Sequence, residues 1–343
     1  MLPDKGPLYR YIIEDIKRKI RNGELRPQDP LPSQIDLAKM YNTSEITSRR
    51  ALAELVKEGY IYRVRGKGSF IRDRQAVSQQ QERAVRTIYF VHNKIEIERF
   101  ANRFWSEMIE GIHEECERNG VGFHLWSSWD DNRLPDDPNG GFIVLTTRLQ
   151  YNLDVLKAWR DEGRKIVTVH FYYPHLNIPY VIADNLTGGY LATEHLLSLG
   201  HRRVGIIVTG KSLLELNQEF SFRLQGYRLA LEQHHIPFDP ELVCFVDGLE
   251  ERTEMGYVGF QKLFQNEHPP TAVFATSDYK AVGAIHAARD MGLEVPKDVS
   301  VIGYDDLTIG QYTYPKLTTV NQNTRVIGRR AAEILLNYAA ASP

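Results

Sequence analysis

From residue 86 onward, short apolar runs alternate with amphipathic stripes, and this rhythm restricts the possible folds more than any single motif. The runs are RTIYFVH (86–92), VGFHLWS (121–127), GFIVLTT (141–147), KIVTVHF (165–171), RVGIIV (203–208), LVCFV (242–246), TAVFAT (271–276) and VSVIGY (299–304). Apolar runs of this length read as strands buried on both faces. Helical patterns such as Phe104, Met108, Ile109, Ile112 and Cys116 lie between most of them. The alternation predicts an α/β architecture with doubly wound sheets, and about 250 residues of it predict two lobes rather than one. Ligands of such sheets sit beyond the carboxyl ends of the strands, which makes Asn93-Lys94, His170-Phe171, Ser277-Asp278 and Asp305-Asp306 candidates.

The first 72 residues differ in pattern and in charge. They hold 15 Lys and Arg against 9 Asp and Glu, a surplus of six, while the remainder holds 27 against 35, a deficit of eight. A net charge of −2 hides this contrast. A basic end on an acidic body suits an N-terminal unit that meets a polyanion. Leu8, Ile12, Ile13, Ile16 and Ile20 recur at helical spacing up to Asn22-Gly23. LRPQDPLP (25–32) reads as a loop because of its three prolines. Ser33 with Asp36 forms a capping-box pattern for a short second helix, and Ser44 caps a third that runs to Gly59. YIYRVRGKGSFI (60–71) alternates around Gly66-Lys67-Gly68 and reads as a β-hairpin. Three helices followed by a hairpin make a winged helix-turn-helix.

In the third helix Ala51, Leu52, Leu55 and Val56 define the buried side. Counting back by three and four turns Ser48 inward and Ile46, Arg49, Arg50 and Ala53 outward. The start of a recognition helix approaches base edges in the major groove. Ser44, Glu45, Ile46, Thr47, Arg49 and Arg50 are therefore candidate contacts to double-stranded DNA. Arg65, Gly66, Lys67 and Gly68 are candidates at the wing tip, where glycines let backbone approach a phosphate strand. Thr47 can hydrogen-bond a base or phosphate, Ile46 can pack on a thymine methyl, and an arginine can fork onto guanine or grip a phosphate. Glu45 either accepts from a cytosine amino group or improves the electrostatics of the first helical turn.

The stretches GPLYRYIIEDIKRKIRNGEL (6–25), LPSQIDLAKMYNTSEITSRRALAELVKEGYI (31–61) and RGKGSFI (65–71) resemble the DNA-binding domain of GntR-type regulators. The chain departs from that pattern at Ile35 and Glu45, where many members carry arginine, and at Ser48, where the usual residue is apolar. Further on, VIADNLTGGYLATEHLLSLGHRRVGII (181–207), SFRLQGYRLAL (221–231), TAVFATSDYKAVGAIHAARDMGLEVPKDVSVIGYDD (271–306) and PKLTTVNQNTRVIGRRAAEILL (315–336) resemble the sensor domain of LacI/GalR-type regulators, a periplasmic-binding-protein-like fold. Such a head on such a body is the layout of arabinose-repressor-type regulators. The resemblance implies a winged helix-turn-helix over 1–72, a linker over 73–86 and an effector-binding, dimerising domain over 87–343. It also implies effector contacts from Arg223, Asp305, Gln322, Trp105, Phe171, Ser277 and Asp278. Arg223, at the start of a helix, would fork onto ligand oxygens, and Asp305 would accept from sugar hydroxyls. Each has a structural alternative: Trp105 in the core, Asp305 capping its turn, Arg223 paired with an acid.

The expectation is a cytoplasmic, homodimeric repressor that binds operator DNA and takes a small polar effector, a monosaccharide or derivative, between its lobes. A sugar-binding protein of the periplasmic type is the runner-up, and a ligand-independent DNA-binding scaffold is a third reading. No apolar run approaches eighteen residues, the N-terminus lacks a secretory pattern, and Cys116 and Cys244 are the only cysteines. No His-Glu-x-x-His, Cys-x-x-Cys, P-loop or Gly-x-Ser-x-Gly pattern is present, so no enzyme, cofactor or metal is expected. His234-His235 is expected to be solvated.

Overall fold

The computed structural model describes residues 8–64, 66–72, 84–92, 102–127, 133–145, 153–171, 173–248 and 251–338. The chain divides into two compact units, Met1–Ala84 and Val85–Pro343.

In the first unit, helices α1 (Leu8–Arg21), α2 (Gln34–Met40) and α3 (Glu45–Lys57) pack against a three-stranded antiparallel sheet. Its core is Ile12, Ile16, Leu37, Leu52, Leu55, Ile61 and Ile71. The wing is β2 (Ile61–Val64) and β3 (Gly68–Ile71), in the expected register around Gly66-Lys67. The proline-rich segment is not wholly a loop. Pro30–Leu31 forms β1 on the edge of β3, where a proline without an N–H is tolerated and Leu31 reaches the core. Both caps form: Ser33 accepts from the Asp36 amide and Ser44 from the Thr47 amide. Ser48 is fully buried, and its hydroxyl donates to the Gln34 carbonyl at 2.8 Å, so a serine at this apolar position couples α2 to α3. Asp15 ties α1 to the turn between them. It accepts from the Tyr41 hydroxyl at 2.6 Å and pairs with Lys19 at 3.0 Å and with Arg18. Burial pushes its carboxyl up, but these donors outweigh that and hold it at about 2.

The second unit contains two five-stranded parallel sheets of matching order. The first runs β5-β4-β6-β7-β8, from Gly122–Ser127, Thr87–His92, Gly140–Leu145, Lys165–Val169 and Tyr180–Val181. The second runs β10-β9-β11-β12-β13, from Val243–Val246, Val204–Thr209, Ala272–Ala275, Ser300–Tyr304 and Thr318–Val320. Helices α4 (Arg103–Asn119) and α5 (Leu153–Asp161) cover the first sheet. Helices α6 (Asn185–Ser198), α7 (Gln218–Gln233), α8 (Thr253–Leu263) and α9 (Asp278–Asp290) cover the second. Helix α10 (Thr324–Leu336) returns to the first lobe and buries Ile327, Ala331 and Leu335 beside Met108 and Ile112. The chain therefore crosses between lobes at 182–184 and at 321–323. Val85 packs into the first lobe's core and the Arg86 amide donates to Asn139 O, so the end of the expected linker already belongs to this unit.

Three helix pairs meet backbone to backbone, each through one glycine from either helix. A Cβ at Gly111 of α4 would lie 2.0 Å from the Arg325 carbonyl oxygen of α10, and one at Gly328 would lie 2.0 Å from Met108 O. Gly189 and Gly226 hold α6 against α7, with the corresponding distances 2.2 and 2.1 Å. Gly256 and Gly283 hold α8 against α9, at 1.8 Å each. A methyl group there has no side chain to displace, only main chain. Gly328→Ala is expected to destabilise the second unit by about 3 kcal/mol. All four tryptophans lie in this unit, so denaturation followed by tryptophan fluorescence reads it directly. An unchanged midpoint would show that the helices have room to separate.

Candidate functional site

On the first unit the N-terminal turn of α3 is displayed to solvent, with Ser44, Glu45, Arg49 and Arg50 exposed and Ile46 76% exposed. Thr47 is half-buried, its hydroxyl 2.9 Å from that of Ser44. The two arginines differ. Arg49 Nε donates to Gln34 Oε1 at 3.2 Å, which holds its guanidinium beside the start of α2. Arg50 lies over the Tyr9 ring at 4.2 Å and faces α1. At the wing Gly66, Lys67 and Gly68 are exposed, and both glycines have positive φ, 78° and 114°. Arg65 lies outside the described residues. Glu45 sits in the first turn of α3, where a carboxylate favours the helix dipole.

In the second unit the expected effector contacts converge at the carboxyl ends of strands from both lobes. Arg223 is 2% exposed. It lies in the second turn of α7, not at the helix start, so its partners and not the helix terminus orient it. Nε donates to Asn185 Oδ1 at 2.9 Å, Nη1 donates to Thr276 O at 2.5 Å, and the guanidinium lies 3.7 Å from the centre of the Tyr304 ring. Asp305 Oδ1 is 3.6 Å from Arg223 Nη1 and accepts from Gln322 Nε2 at 2.5 Å. The first lobe contributes Trp105, half-buried and edge-on to Phe104, and Phe171, buried and stacked on His170 at 5.1 Å. Asn93-Lys94 lie outside the described residues. His170 and Asp305, one from each lobe, have φ of 81° and 116°, a backbone region that non-glycine residues avoid unless their surroundings impose it.

Ser277 and Asp278 are buried and already have protein partners. Ser277 caps α9 and donates to Glu251 Oε2 at 2.5 Å. Asp278 accepts from the Leu307 amide at 2.6 Å and from the Thr319 hydroxyl at 2.5 Å, which fixes the loop that carries Asp305. Sequence reasoning missed the group behind them. Lys280, fully buried in α9, pairs with Glu251, and Glu251 also accepts from Thr209 at 2.6 Å. A lysine among alanines on a buried helix face was the available signal. Glu219 was missed too, although it lies four residues before Arg223 on the same helix. It faces His170 of the other lobe at 3.7 Å. Arg103 of α4 adds a second link between lobes, to Asp306 at 3.1 Å. His235 is exposed as expected, whereas His234 is only partly exposed and pairs with Glu194 at 2.8 Å. Depressions of about 500 Å³ beside Asp137 and Arg164, and of about 480 Å³ beside Arg202 and Phe238, lie at the amino ends of strands. Neither draws side chains from both lobes, so the interlobe cleft is the better candidate.

Burial shifts several groups in the cleft. It pushes Asp278 up to about 7, with the neighbouring Asp305 charge adding to the effect. Asp305 rises to about 6 and Glu219 to about 7, both by burial and both against the pull of Arg223. Burial, then Arg223, lowers His170 to about 4. Burial also pushes Glu251 up, but Lys280 with the Ser277 and Thr209 hydroxyls holds it below its ordinary value. A carboxyl raised on folding contributes stability that is present below its unfolded value and lost as pH rises through its folded value. For Glu219 that window runs from its ordinary 4.5 to about 7. Glu219→Gln should therefore gain stability over the wild type across this window, on the order of 2–3 kcal/mol. Denaturation of both proteins at about pH 5 and about pH 8 checks this. Equal differences at both pH values would remove the assignment.

Residues 8–71 match the family described as bacterial regulatory proteins, gntR family, and residues 193–341 match a periplasmic binding protein-like domain. The chain is 28% identical over 342 residues to the arabinose metabolism transcriptional repressor of Geobacillus stearothermophilus, covering 96% of this chain and 90% of that one. It is 32% identical over 242 residues to the HTH-type transcriptional repressor PurR of Haemophilus influenzae (strain PittEE), covering 68% of this chain and 69% of that one. A LacI family transcriptional regulator from Enterococcus faecium, solved with bound ribose, superposes with a TM-score of 0.60 at 26% identity, covering 74% of this chain and 91% of that one. Among the described residues no helix is long and apolar enough to cross a membrane, and no group of three or more His, Cys, Asp or Glu side chains could hold a metal ion. The chain belongs to the LacI-type family of transcriptional repressors, DNA-binding regulators and not enzymes, and carries a gntR-family helix-turn-helix as its head.

Proposed function

We propose that this repressor is controlled by a monosaccharide or close derivative that binds between the lobes of its second unit. The observation that carries the reading is the convergence of Arg223, Asp305 and Gln322 from one lobe with Trp105, His170 and Phe171 from the other. A guanidinium, a carboxylate and an amide facing aromatic rings suit a ligand with hydroxyls on its edges and C–H on its faces. The ribose in the Enterococcus structure and the arabinose in the Geobacillus relative's name support the same class. Closure around such a ligand favours one arrangement of the lobes over another. Control of DNA binding then rests on the difference in effector affinity between the two. The protein acts in the cytoplasm as a homodimer, and its two heads read a palindromic operator in double-stranded DNA.

In the head, Arg49 reads bases and Lys67 grips phosphate. Arg50 engages DNA only by leaving Tyr9, which makes it a phosphate contact. Arg49→Ala should abolish specific operator binding in a titration with labelled duplex while leaving the fold intact. Lys67→Ala should weaken all duplexes alike and shrink the slope of log affinity against log salt by about one unit. A loss confined to one base pair, with an unchanged slope, contradicts that role for Lys67.

The effector site is tested by a thermal-shift screen against a sugar panel. A ligand at about 100 times its Kd adds about 2.7 kcal/mol. Arg223→Ala and Asp305→Asn should each weaken the effector about tenfold to a hundredfold and leave operator affinity without effector near wild type. Variants that lose DNA binding and keep full effector affinity would overturn this division of labour.

A further inference from the structure

Surfaces that read DNA are built mainly from cationic and hydrogen-bonding side chains. Yet the first turns of α2 and α3 each expose an isoleucine. Ile35, in the first turn of α2, is 46% exposed, and Ile46, in the first turn of α3, is 76% exposed. The other large exposed apolar side chains described in this unit are Tyr11, whose ring meets Tyr41 edge-on, and Met40 at the far end of α2. The two first turns are tied together. The Ser48 hydroxyl donates to the Gln34 carbonyl at 2.8 Å, and Arg49 Nε donates to the Gln34 side chain at 3.2 Å. Arg49 therefore has an isoleucine from each helix near it. Ile46 lies three residues earlier on its own helix, and Ile35 is next to the glutamine that holds its guanidinium. Lys39 is exposed one turn after Ile35 on the same side of α2 and suits a phosphate, because the first helix of the motif crosses the DNA backbone. Neither isoleucine can bond a phosphate, and the exposed Glu45 carboxylate beside Ile46 repels one. The apolar group that base edges offer in the major groove is the thymine methyl.

We propose that Ile35 and Ile46 are specificity-determining residues that each pack on a thymine methyl of the operator half-site. This rests on the base-reading role of Arg49 and deepens it. Side chains three residues apart on a helix lie about 5–6 Å apart, and base pairs stack about 3.4 Å apart. The thymine under Ile46 is thus about one or two base pairs from the base that Arg49 reads. Ile35 adds a second thymine, read from α2 and not from the recognition helix. Half of the direct contact set then recognises what thymine has and uracil lacks. Readout by hydrogen bonds alone ignores that difference, since uracil keeps the O4 acceptor.

The test uses the full chain to enrich binding duplexes from a randomised pool, and then replaces each thymine of the best duplex singly by uracil. At least two positions should each lose about threefold to fivefold in affinity. In Ile46→Ala one of these positions should stop responding to uracil, and in Ile35→Ala the other, while the remaining response persists in each. Both side chains are exposed, so the variants should melt like the wild type. The slope of log affinity against log salt should not change, because no phosphate contact is lost. A duplex with fewer than two responding thymines, or responses that survive the alanine variants, overturns the inference and leaves Arg49 as the reader. A pool from which the wild type enriches nothing overturns the operator reading and this inference with it.

Discussion

The second unit is organised around a guanidinium removed from water. Burying Arg223 is tolerable only because α7 brings it to three other elements, α6 through Asn185, the end of β11 through Thr276 and the end of β12 through Asp305, while Gln322 beyond β13 holds Asp305 in turn. An unpaired charge at this depth would cost several kcal/mol. The arrangement of strand ends, and not only the ligand, therefore depends on it. Asp278 does the same for the following loop by holding Leu307 and Thr319, so the backbone at Asp305 stays in a conformation it would not adopt alone.

The head uses smaller forces to similar effect. Asp15 joins α1 to Tyr41 at the turn between α2 and α3, and the buried Ser48 hydroxyl joins α3 to the start of α2. These bonds set the angle at which α3 presents its first turn. Gln34 then positions Arg49, so a residue of α2 orients a side chain of α3 that faces outward.

Much of this was legible in the sequence because it rests on periodicity. The winged helix followed from helical spacing, two serine caps and a glycine-flanked turn. The paired sheets followed from apolar runs buried on both faces. Arg223, Asp305 and Gln322 came from resemblance and do converge. The rest was hidden for physical reasons. Pro30–Leu31 reads as loop because prolines mask a strand that needs only two residues at a sheet edge. Glu219 and Lys280 are polar residues on buried helix faces; the alanines around Lys280 signal its burial, but no local pattern names the opposite charge that either residue meets. Tyr9 beneath Arg50 is a contact between distant segments that spacing does not encode.

The glycine crossings bear on how the lobes can move. Shear between packed helices proceeds by side chains exchanging rotamers across the interface. Where α4 meets α10, α6 meets α7 and α8 meets α9, no side chain lies between the main chains at the crossing point, so there is nothing to reshuffle. Each lobe is stiff along those contacts, and relative rotation falls on the short crossovers at 182–184 and 321–323. The second of these contains Gln322, which holds Asp305, and leads directly into α10, which is locked to α4 of the opposite lobe. A small displacement at the ligand acid is thereby carried as leverage, without damping, into the helix pair on the far side of the hinge.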